Sequence, residues 1–257
     1  MKYLTVAEAR GMEGLRLALG VQTPGPWSIA ARSLFEIRNV PFVAVRQDVG
    51  ETNGDLVEWT GIRNAPVAVY NDEGPLDNWF DIMNLAERLG SGPSLFPDDP
   101  VDRALAVGFS AEICGQGGFG WSRRITMAAG APPPADENNP MASVMRGYGV
   151  LAENIPVAER RVIGILKGLT AQLKQQAEAG SLFLAGRKLS ACDIHWACFS
   201  TLVERLAPDA CQLSEHMGDL FSTMSDAMRE AVDPILIEHR DRIWADHIGL
   251  PLDYLPE

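Results

Sequence analysis

Cysteine is scarce in this chain, and the few copies follow no recognisable pattern. The 257 residues include only four cysteines, and no two of them are spaced as C-x-x-C. They are Cys114, Cys192, Cys198 and Cys211. This spacing predicts neither a disulfide framework nor a dithiol redox centre. The four histidines form no H-x-x-x-H pair, and Cys192 with His195 lacks a third nearby ligand, so we predict no metal site.

Long apolar runs are also missing. No stretch approaches the roughly 18 consecutive apolar residues that a membrane-spanning helix needs, so we predict no membrane partner. The opening residues Met1–Leu4 are not followed by the apolar core of a signal peptide. The expected compartment is therefore the reducing cytoplasm.

Basic residues are few compared with acidic ones. The chain has 22 lysines and arginines against 34 aspartates and glutamates, which gives a formal net charge of −12. This charge disfavours nucleic acid and anionic membranes as partners, although a locally basic pocket for an acidic small molecule remains open. A G-x-S-x-G motif is absent too, so the sequence lacks a common signature of hydrolases.

The first ninety residues contain alternating strand and helix patterns. Pro26 stands where a helix would begin, and the apolar residues that follow it recur at helical spacing. The predicted strands are Gly14–Leu19, Pro41–Val45 and Val67–Tyr70, with a short strand or turn at Gly74–Leu76, and the predicted helices run from Pro26 to about Arg38, loosely over Glu51–Thr60, and up to Leu89. Helical crossovers between strands predict a mixed sheet in an α/β layer.

Beyond a linker at 91–100, which is rich in proline and glycine, strand patterns disappear. The predicted helices are Val101–Cys114, Ala158–Glu178, Ser214–Arg229 and Pro234–Asp246. Four glycines between Gly115 and Gly120 are not followed by a Lys-Ser/Thr pair, so they predict a helix break and not a phosphate-binding loop. An exposed loop is predicted at Gly130–Pro140.

One stretch of the first half combines a strand start with a helix start. Pro66 opens the strand Val67–Tyr70, and a proline at the start of a strand is a candidate for a cis peptide bond. A cis bond after Ala65 would turn the first backbone groups of the strand outward, where they can pair with a peptide-like ligand. Asp77 and Asn78 then precede the next helix, whose backbone N–H groups can hold an anion.

A second motif stands near the end of the chain, in the sequence Leu182–Ile194. Ser190 and Asp193 have the S-x-x-D spacing of a capping box, with aspartate in place of the usual glutamate. Leu189 and Ile194 occupy the positions of a hydrophobic staple. The motif therefore predicts the start of a helix inside a core.

Together these two motifs resemble those of the glutathione transferase superfamily. The family has a V-P-x-L strand with a cis proline, here Ala65-Pro66-Val67-Ala68, followed by an acid-Ser pair, here Asp77-Asn78. It also has the pattern F-L-x-G-x-x-x-[ST]-x-A-D-[IL], which Phe183–Ile194 matches except for Cys192 in place of the alanine. The resemblance covers roughly Leu15–Asp246. It implies a thioredoxin-like α/β domain at 1–90, a linker at 91–100 and an all-helical domain at 101–257.

The resemblance also implies a ligand and a function. Glutathione would be the co-substrate, with Gly25, Ala65 and Pro66 beside its cysteinyl part and Asp77 and Asn78 at its γ-glutamyl end. The protein would be a cytoplasmic homodimer with a role in detoxification. It would join the glutathione thiolate to a small electrophile or use glutathione for a related elimination or reduction. Two aromatic residues, Trp27 and Trp121, are candidates for contacts with that electrophile.

The chain departs from the family at the position of the catalytic residue. The family has Ser, Cys or Tyr just before the first helix, whereas this chain has Gly25 before Pro26. Three alternatives remain open: a hydroxyl from Thr23 or Ser28 activates the thiol, backbone N–H groups alone activate it, or nothing does. A catalytically silent binding protein of the same fold is therefore the alternative function, and a glutathione-independent enzyme is a third.

Overall fold

The chain forms two units in a computed structural model that describes residues 1–128, 145 and 149–256. The first unit comprises Met1–Phe96 together with His247–Glu257, and the second comprises Pro97–Asp246. The boundary lies inside the predicted linker. The prediction assigned residues 247–257 to the helical domain, whereas the structure groups them with the first unit. The predicted loop Gly130–Pro140 lies outside the described residues.

The first unit is a small mixed sheet with helices. In chain order its elements are α1 (Val6–Ala9), β1 (Leu15–Val21), α2 (Pro26–Ile37), β2 (Phe42–Asp48), α3 (Gly54–Thr60), β3 (Val67–Tyr70) and α4 (Trp79–Leu89). The strand order is β2-β1-β3, with β1 parallel to β2 and antiparallel to β3. A single bridge between Ala68 and Leu76 continues the sheet beyond β3. The predicted strands and helices of this unit are therefore present, and β2 extends three residues further than predicted.

The core of this unit lies around β1, whose seven residues are all buried. Ala18, Val45 and Val67 pack with residues of α1 and α3. Helix α2 packs on β1 and on α4, which agrees with the stripe of Trp27, Ala30, Ala31 and Leu34 that predicted α2. A central strand buried on both faces explains why its sequence is almost entirely apolar.

A buried arginine fixes the segment that leads out of the first unit. Arg38, which follows α2, donates from its guanidinium to the carbonyl oxygens of Glu87, Gly90 and Gly92. A Cβ atom at Gly90 would lie only 2.5 Å from Cβ of Arg38. Gly90 therefore has to be glycine, because any side chain there would collide with Arg38 and with the Ala86 carbonyl oxygen.

The second unit is helical. Its elements are α5 (Pro100–Cys114), α6 (Phe119–Met127), a 3-10 turn at Ala152–Asn154, α7 (Ile155–Glu178), α8 (Ala191–Phe199), a 3-10 turn at Ser200–Leu202, α9 (Glu215–Ser222), α10 (Asp226–Glu230) and α11 (Pro234–Ile243), which continues as a π-helical turn at Trp244–Ile248. The predicted helix Ser214–Arg229 is in fact two helices. The physical reason is a second N-cap at Ser225, whose hydroxyl accepts the Met228 N–H and starts α10. None of the helices in the described ranges is long and apolar enough to cross a membrane.

The predicted capping box is confirmed at the start of α8. The Asp193 carboxylate accepts the Ser190 N–H at 2.9 Å and the Ser190 hydroxyl at 2.8 Å. It also accepts the Leu184 N–H at 2.7 Å, and the Nε2 atom of His239 lies 3.2 Å away. Asp193 is fully buried, so these donors replace the water that its charge would otherwise need. The box therefore joins α8, α11 and the loop before α8.

Candidate functional site

The candidate ligand-binding residues of the first unit lie at one edge of its sheet. The register pairs Ala18 of β1 with Val67 of β3. Two residues further along, Gly20 and Ala65 lie at the same end of these antiparallel strands. Because β1 and β2 are parallel, β2 ends at this edge as well. The sheet therefore brings together the turn that leads into α2, the loop that leads into α3 and the segment that opens β3.

The turn from β1 into α2 ends at Gly25, which is the N-cap of α2. Its φ and ψ of −65° and 123° are open to any residue, and no side chain caps the helix there. The Gly25 N–H donates to the Thr23 carbonyl oxygen at 2.7 Å. Pro26 follows as the first helical residue and has no N–H to donate. The N-terminus of α2 therefore carries its partial positive charge without a capping side chain.

The two hydroxyl residues of this turn differ in their surroundings. Ser28 is 9% exposed, and its Oγ atom accepts the Gly20 N–H at 3.2 Å. This bond ties the first turn of α2 to the end of β1. Thr23 is half-buried in the turn itself. Both predicted hydroxyl residues thus lie at the end of the sheet where α2 begins. The Ser28 oxygen is already engaged there by the Gly20 N–H.

The segment that opens β3 has the predicted backbone geometry. The Ala65–Pro66 peptide bond is cis. Val67 begins the ladder with β1, and Ala68 exchanges both of its backbone hydrogen bonds with Leu76 at 2.8 and 2.9 Å. Ala65 makes no hydrogen bond to any residue that the structure describes. Its N–H and C=O are therefore available to a ligand with a peptide backbone.

Asn78 is the N-cap of α4, as predicted. Its Oδ1 atom accepts the Phe80 N–H at 2.8 Å, and its φ and ψ of −82° and 135° are those of an ordinary cap. The Nδ2 group makes no hydrogen bond within the described part of the chain. Asp77 precedes it, and both side chains are exposed. The start of α4 thus presents an amide donor next to a carboxylate.

Sequence reasoning did not identify the loop between β2 and α3 as part of this edge. Arg46 forms a bidentate ion pair with Asp48, with Nε 2.9 Å from Oδ1 and Nη2 2.6 Å from it. The ion pair raises the pKa of Arg46. Asn53 closes the loop from a left-handed conformation by accepting the Asp48 N–H at 2.9 Å. The Asn53-Gly54 pair was the available sequence signal, since both residues favour turns.

The two predicted substrate contacts lie in different units. Trp27 is the second residue of α2 and is half-buried. Trp121, in α6 of the helical unit, packs against a cluster of Ile125, Val150 and Ala158. Trp121 therefore contributes to the core of its own unit, whereas Trp27 stands at the helix start beside Gly25.

Comparisons with known proteins identify the fold. No family model matches the sequence, and no curated protein matches it significantly. Among solved structures, a glutathione S-transferase from Methylobacillus flagellatus KT with GSH bound has a TM-score of 0.65 at 13% identity, covering 95% of this chain and 100% of that one. A glutathione S-transferase domain-containing protein from Marinobacter aquaeolei VT8 has a TM-score of 0.63 at 14% identity, covering 91% and 98%.

A third similar structure comes from a plant. The Tau class glutathione S-transferase of mango, Mangifera indica, has a TM-score of 0.53 at 20% identity, covering 89% of this chain and 97% of that one. The chain therefore has the glutathione S-transferase fold, a thioredoxin-like unit and an all-helical unit. At these identities the likeness establishes the architecture alone.

Proposed function

We propose that this chain binds glutathione at the sheet edge formed by the α2 start, Ala65 and Asn78. The observation that carries the proposal is the opening of β3, where the Ala65 backbone N–H and C=O have no partner among the described residues. Structures of the same fold with GSH or glutathione sulfonate bound support the choice of ligand. The backbone of Ala65, with Pro66 after it, pairs with the cysteinyl residue of glutathione.

The γ-glutamyl end of glutathione lies at the start of α4 in this proposal. The Nδ2 group of Asn78 donates to its carboxylate, and the Asp77 carboxylate accepts from its ammonium group. The N-terminus of α4 adds favourable charge for the same carboxylate. Because the Oδ1 atom of Asn78 already caps the helix, one side chain serves both the fold and the ligand.

The glutathione sulfur lies at the start of α2, beside Gly25. A free thiol has a pKa near about 8.5, so little of it is ionised at neutral pH. The uncapped N-terminus of α2 favours the thiolate, and the Thr23 hydroxyl is the donor that can add to it. We assign Thr23 this role in preference to Ser28, because the Ser28 oxygen is buried against Gly20.

The reaction that follows is a transfer to an electrophile. The thiol proton leaves to water, and the thiolate sulfur forms a bond to an electrophilic carbon. The leaving group departs with the bonding electron pair or, in an addition, the resulting anion takes a proton from solvent. Trp27 is the proposed aromatic contact for that substrate. We propose a cytoplasmic homodimer with a role in detoxification.

One observation favours a second candidate, a glutathione-binding protein without transferase activity. Gly25 provides no hydroxyl or thiol at the helix start. If neither the Thr23 hydroxyl nor the N-terminus of α2 stabilises the thiolate, the site would hold glutathione without activating it. The pKa of the bound thiol separates the two candidates, because only an activating site lowers it.

A series of substitutions at Asn78 tests the binding site by calorimetric titration with glutathione. Asn78→Asp keeps the helix cap and removes the amide donor, so we expect glutathione affinity to fall roughly tenfold or more, about 1.4 kcal/mol. Asn78→Ser keeps both the cap and a donor and should bind like the unchanged chain. Equal affinities for Asn78→Asp and Asn78→Ser would contradict the proposed contact, and no binding to the unchanged chain would contradict the proposal as a whole.

A further inference from the structure

The last residues of the chain lie along one face of α2. Ile29, Arg32, Ser33 and Glu36 are spaced i, i+3, i+4 and i+7, so they form one stripe of the helix. Together with residues 248–253 they line a cavity of about 210 Å³. The C-terminal segment covers this face of α2.

Hydrogen bonds from α2 and from the N-terminal residues hold this segment in place, and the Met1 ammonium group also pairs with the Asp253 carboxylate. The Arg32 guanidinium donates to the Asp253 carbonyl oxygen. The Tyr3 hydroxyl donates to the Tyr254 carbonyl oxygen at 3.2 Å. The Tyr254 side chain is itself buried, with 6% of its surface exposed. Contacts from both α2 and the N-terminal segment therefore fix the path of residues 253 and 254.

The pKa of Tyr3 reflects the same packing. Burial raises the pKa of Tyr3, the Arg32 guanidinium lowers it and the Asp253 carboxylate raises it. Arg32 also holds Glu36 through its Nε atom at 2.7 Å. Tyr3, Arg32 and Asp253 thus form one polar cluster between the C-terminal segment and α2.

We propose that residues 249–255, hereafter the C-terminal strap, hold α2 in position and so set the geometry of the ligand site at its start. Arg32 and Tyr254 are positioning residues in this proposal: Arg32 joins α2 to the strap, and Tyr254 lies in the strap with its side chain buried. Gly25, Trp27 and Ser28 lie at the start of α2. If one face of this helix loses its support, the helix moves as a rigid body and these residues move with it. The effect on glutathione rests on the proposed function, whereas the effect on α2 does not.

Hydrogen exchange and calorimetry on four variants test the strap. The first lacks residues 249–257, and its matched control lacks only 256 and 257. The third is Tyr254→Ala, with Tyr254→Phe as a conservative variant that keeps the buried ring. We expect exchange in α2 to rise roughly tenfold in the first variant and in Tyr254→Ala, while α8 stays protected. Both controls should resemble the full chain.

Glutathione affinity is the second measurement. Variants with a loosened α2 should bind glutathione roughly tenfold more weakly, whereas Tyr254→Phe should keep the affinity of the full chain. Unchanged hydrogen exchange in α2 would contradict the proposed role of the strap. A loss of protection that includes α8 would contradict it as well, because it would indicate general destabilisation. If the full chain does not bind glutathione, the proposed function fails, and the exchange of α2 alone decides on the strap.

Discussion

At the scale of single residues, the proposed chemistry depends on what stands at the start of α2. Gly25 caps this helix without a side chain, and its backbone conformation is one that any residue can adopt. A Cβ atom at this position would meet no atom within 4 Å. The glycine is therefore not required by the fold. In the proposed function, the helix N-terminus and Thr23 are then the groups that favour a thiolate.

Restoring a hydroxyl at this position should increase activity. We expect Gly25→Ser to raise transferase turnover roughly tenfold at neutral pH, because a donor beside the sulfur stabilises the thiolate. Gly25→Ala is the matched control, since it adds the same Cβ without the oxygen. Turnover is measured with glutathione and a chromogenic electrophile. Equal rates for the serine and alanine variants would mean that the sulfur does not lie at the α2 start.

Particular residues also show what the sequence could and could not reveal about the site. Pro66 and Asn78 were predictable because a proline that opens a strand and an asparagine before a helix have strong local preferences. The buried bond between Ser28 and Gly20 was not, since it joins two elements through a turn whose path the sequence does not specify. The Arg46–Asp48 ion pair was missed because the end of β2 is set by its pairing with β1.

At the scale of secondary structure elements, the helical unit depends on buried polar contacts between helices. His195 of α8 is almost completely buried, and its Nδ1 atom lies 2.9 Å from the Ser110 hydroxyl of α5. Arg123 of α6 is fully buried and donates to carbonyl oxygens of Leu202, Phe221 and Thr223. These contacts join elements that are far apart in the sequence, so no local pattern could have predicted them.

The buried histidine should make the protein sensitive to acid. Burial lowers the pKa of His195 from 6.5 to about 4. Below about pH 6.5 the unfolded chain binds a proton that the folded chain excludes, so stability is present above this range and is lost as pH falls towards the folded pKa. From about pH 7 to about pH 5 we expect this residue to account for a loss of about 2 kcal/mol.

Urea unfolding at the two pH values measures this contribution. His195→Gln should lower stability at neutral pH and should reduce the loss between the two pH values by about 2 kcal/mol. His247→Gln is the control, because His247 is exposed. If both variants lose the same stability as the unchanged chain on acidification, His195 does not carry the pH dependence.

The bounds of the strands and helices also show how far local sequence patterns can predict the structure. The strand Val67–Tyr70 was predicted with its observed bounds, because turn residues flank a short apolar run. Strand β2 continues to Asp48 although Arg46 and Asp48 are polar, because its pairing with β1 persists as far as Val21. Conversely, the apolar spacing of 214–229 suggested one helix and concealed the N-cap at Ser225.

At the scale of the whole molecule, the order of the elements was more predictable than the course of the chain. A mixed α/β pattern followed only by helical patterns predicted two units of different class, and both are present. The return of residues 247–257 to the first unit was not predictable, because this short segment has no periodicity and is held by single contacts such as Arg32 with Asp253. The position of the C-terminal strap therefore depends on contacts between residues far apart in the sequence, and not on a local sequence pattern.

The most direct test of the proposed glutathione site is a titration with glutathione, in which nitrogen–proton correlation spectra monitor the amide chemical shifts. We expect saturable amide shifts at Thr23, Gly25, Trp27 and Ser28, at Ala65 and at Asn78–Phe80, with little change in α8. Shifts that saturate in another region would contradict the proposed site while leaving binding intact. An absence of shifts up to millimolar glutathione would contradict the central claim, and the glutathione S-transferase fold of this chain would then serve another ligand.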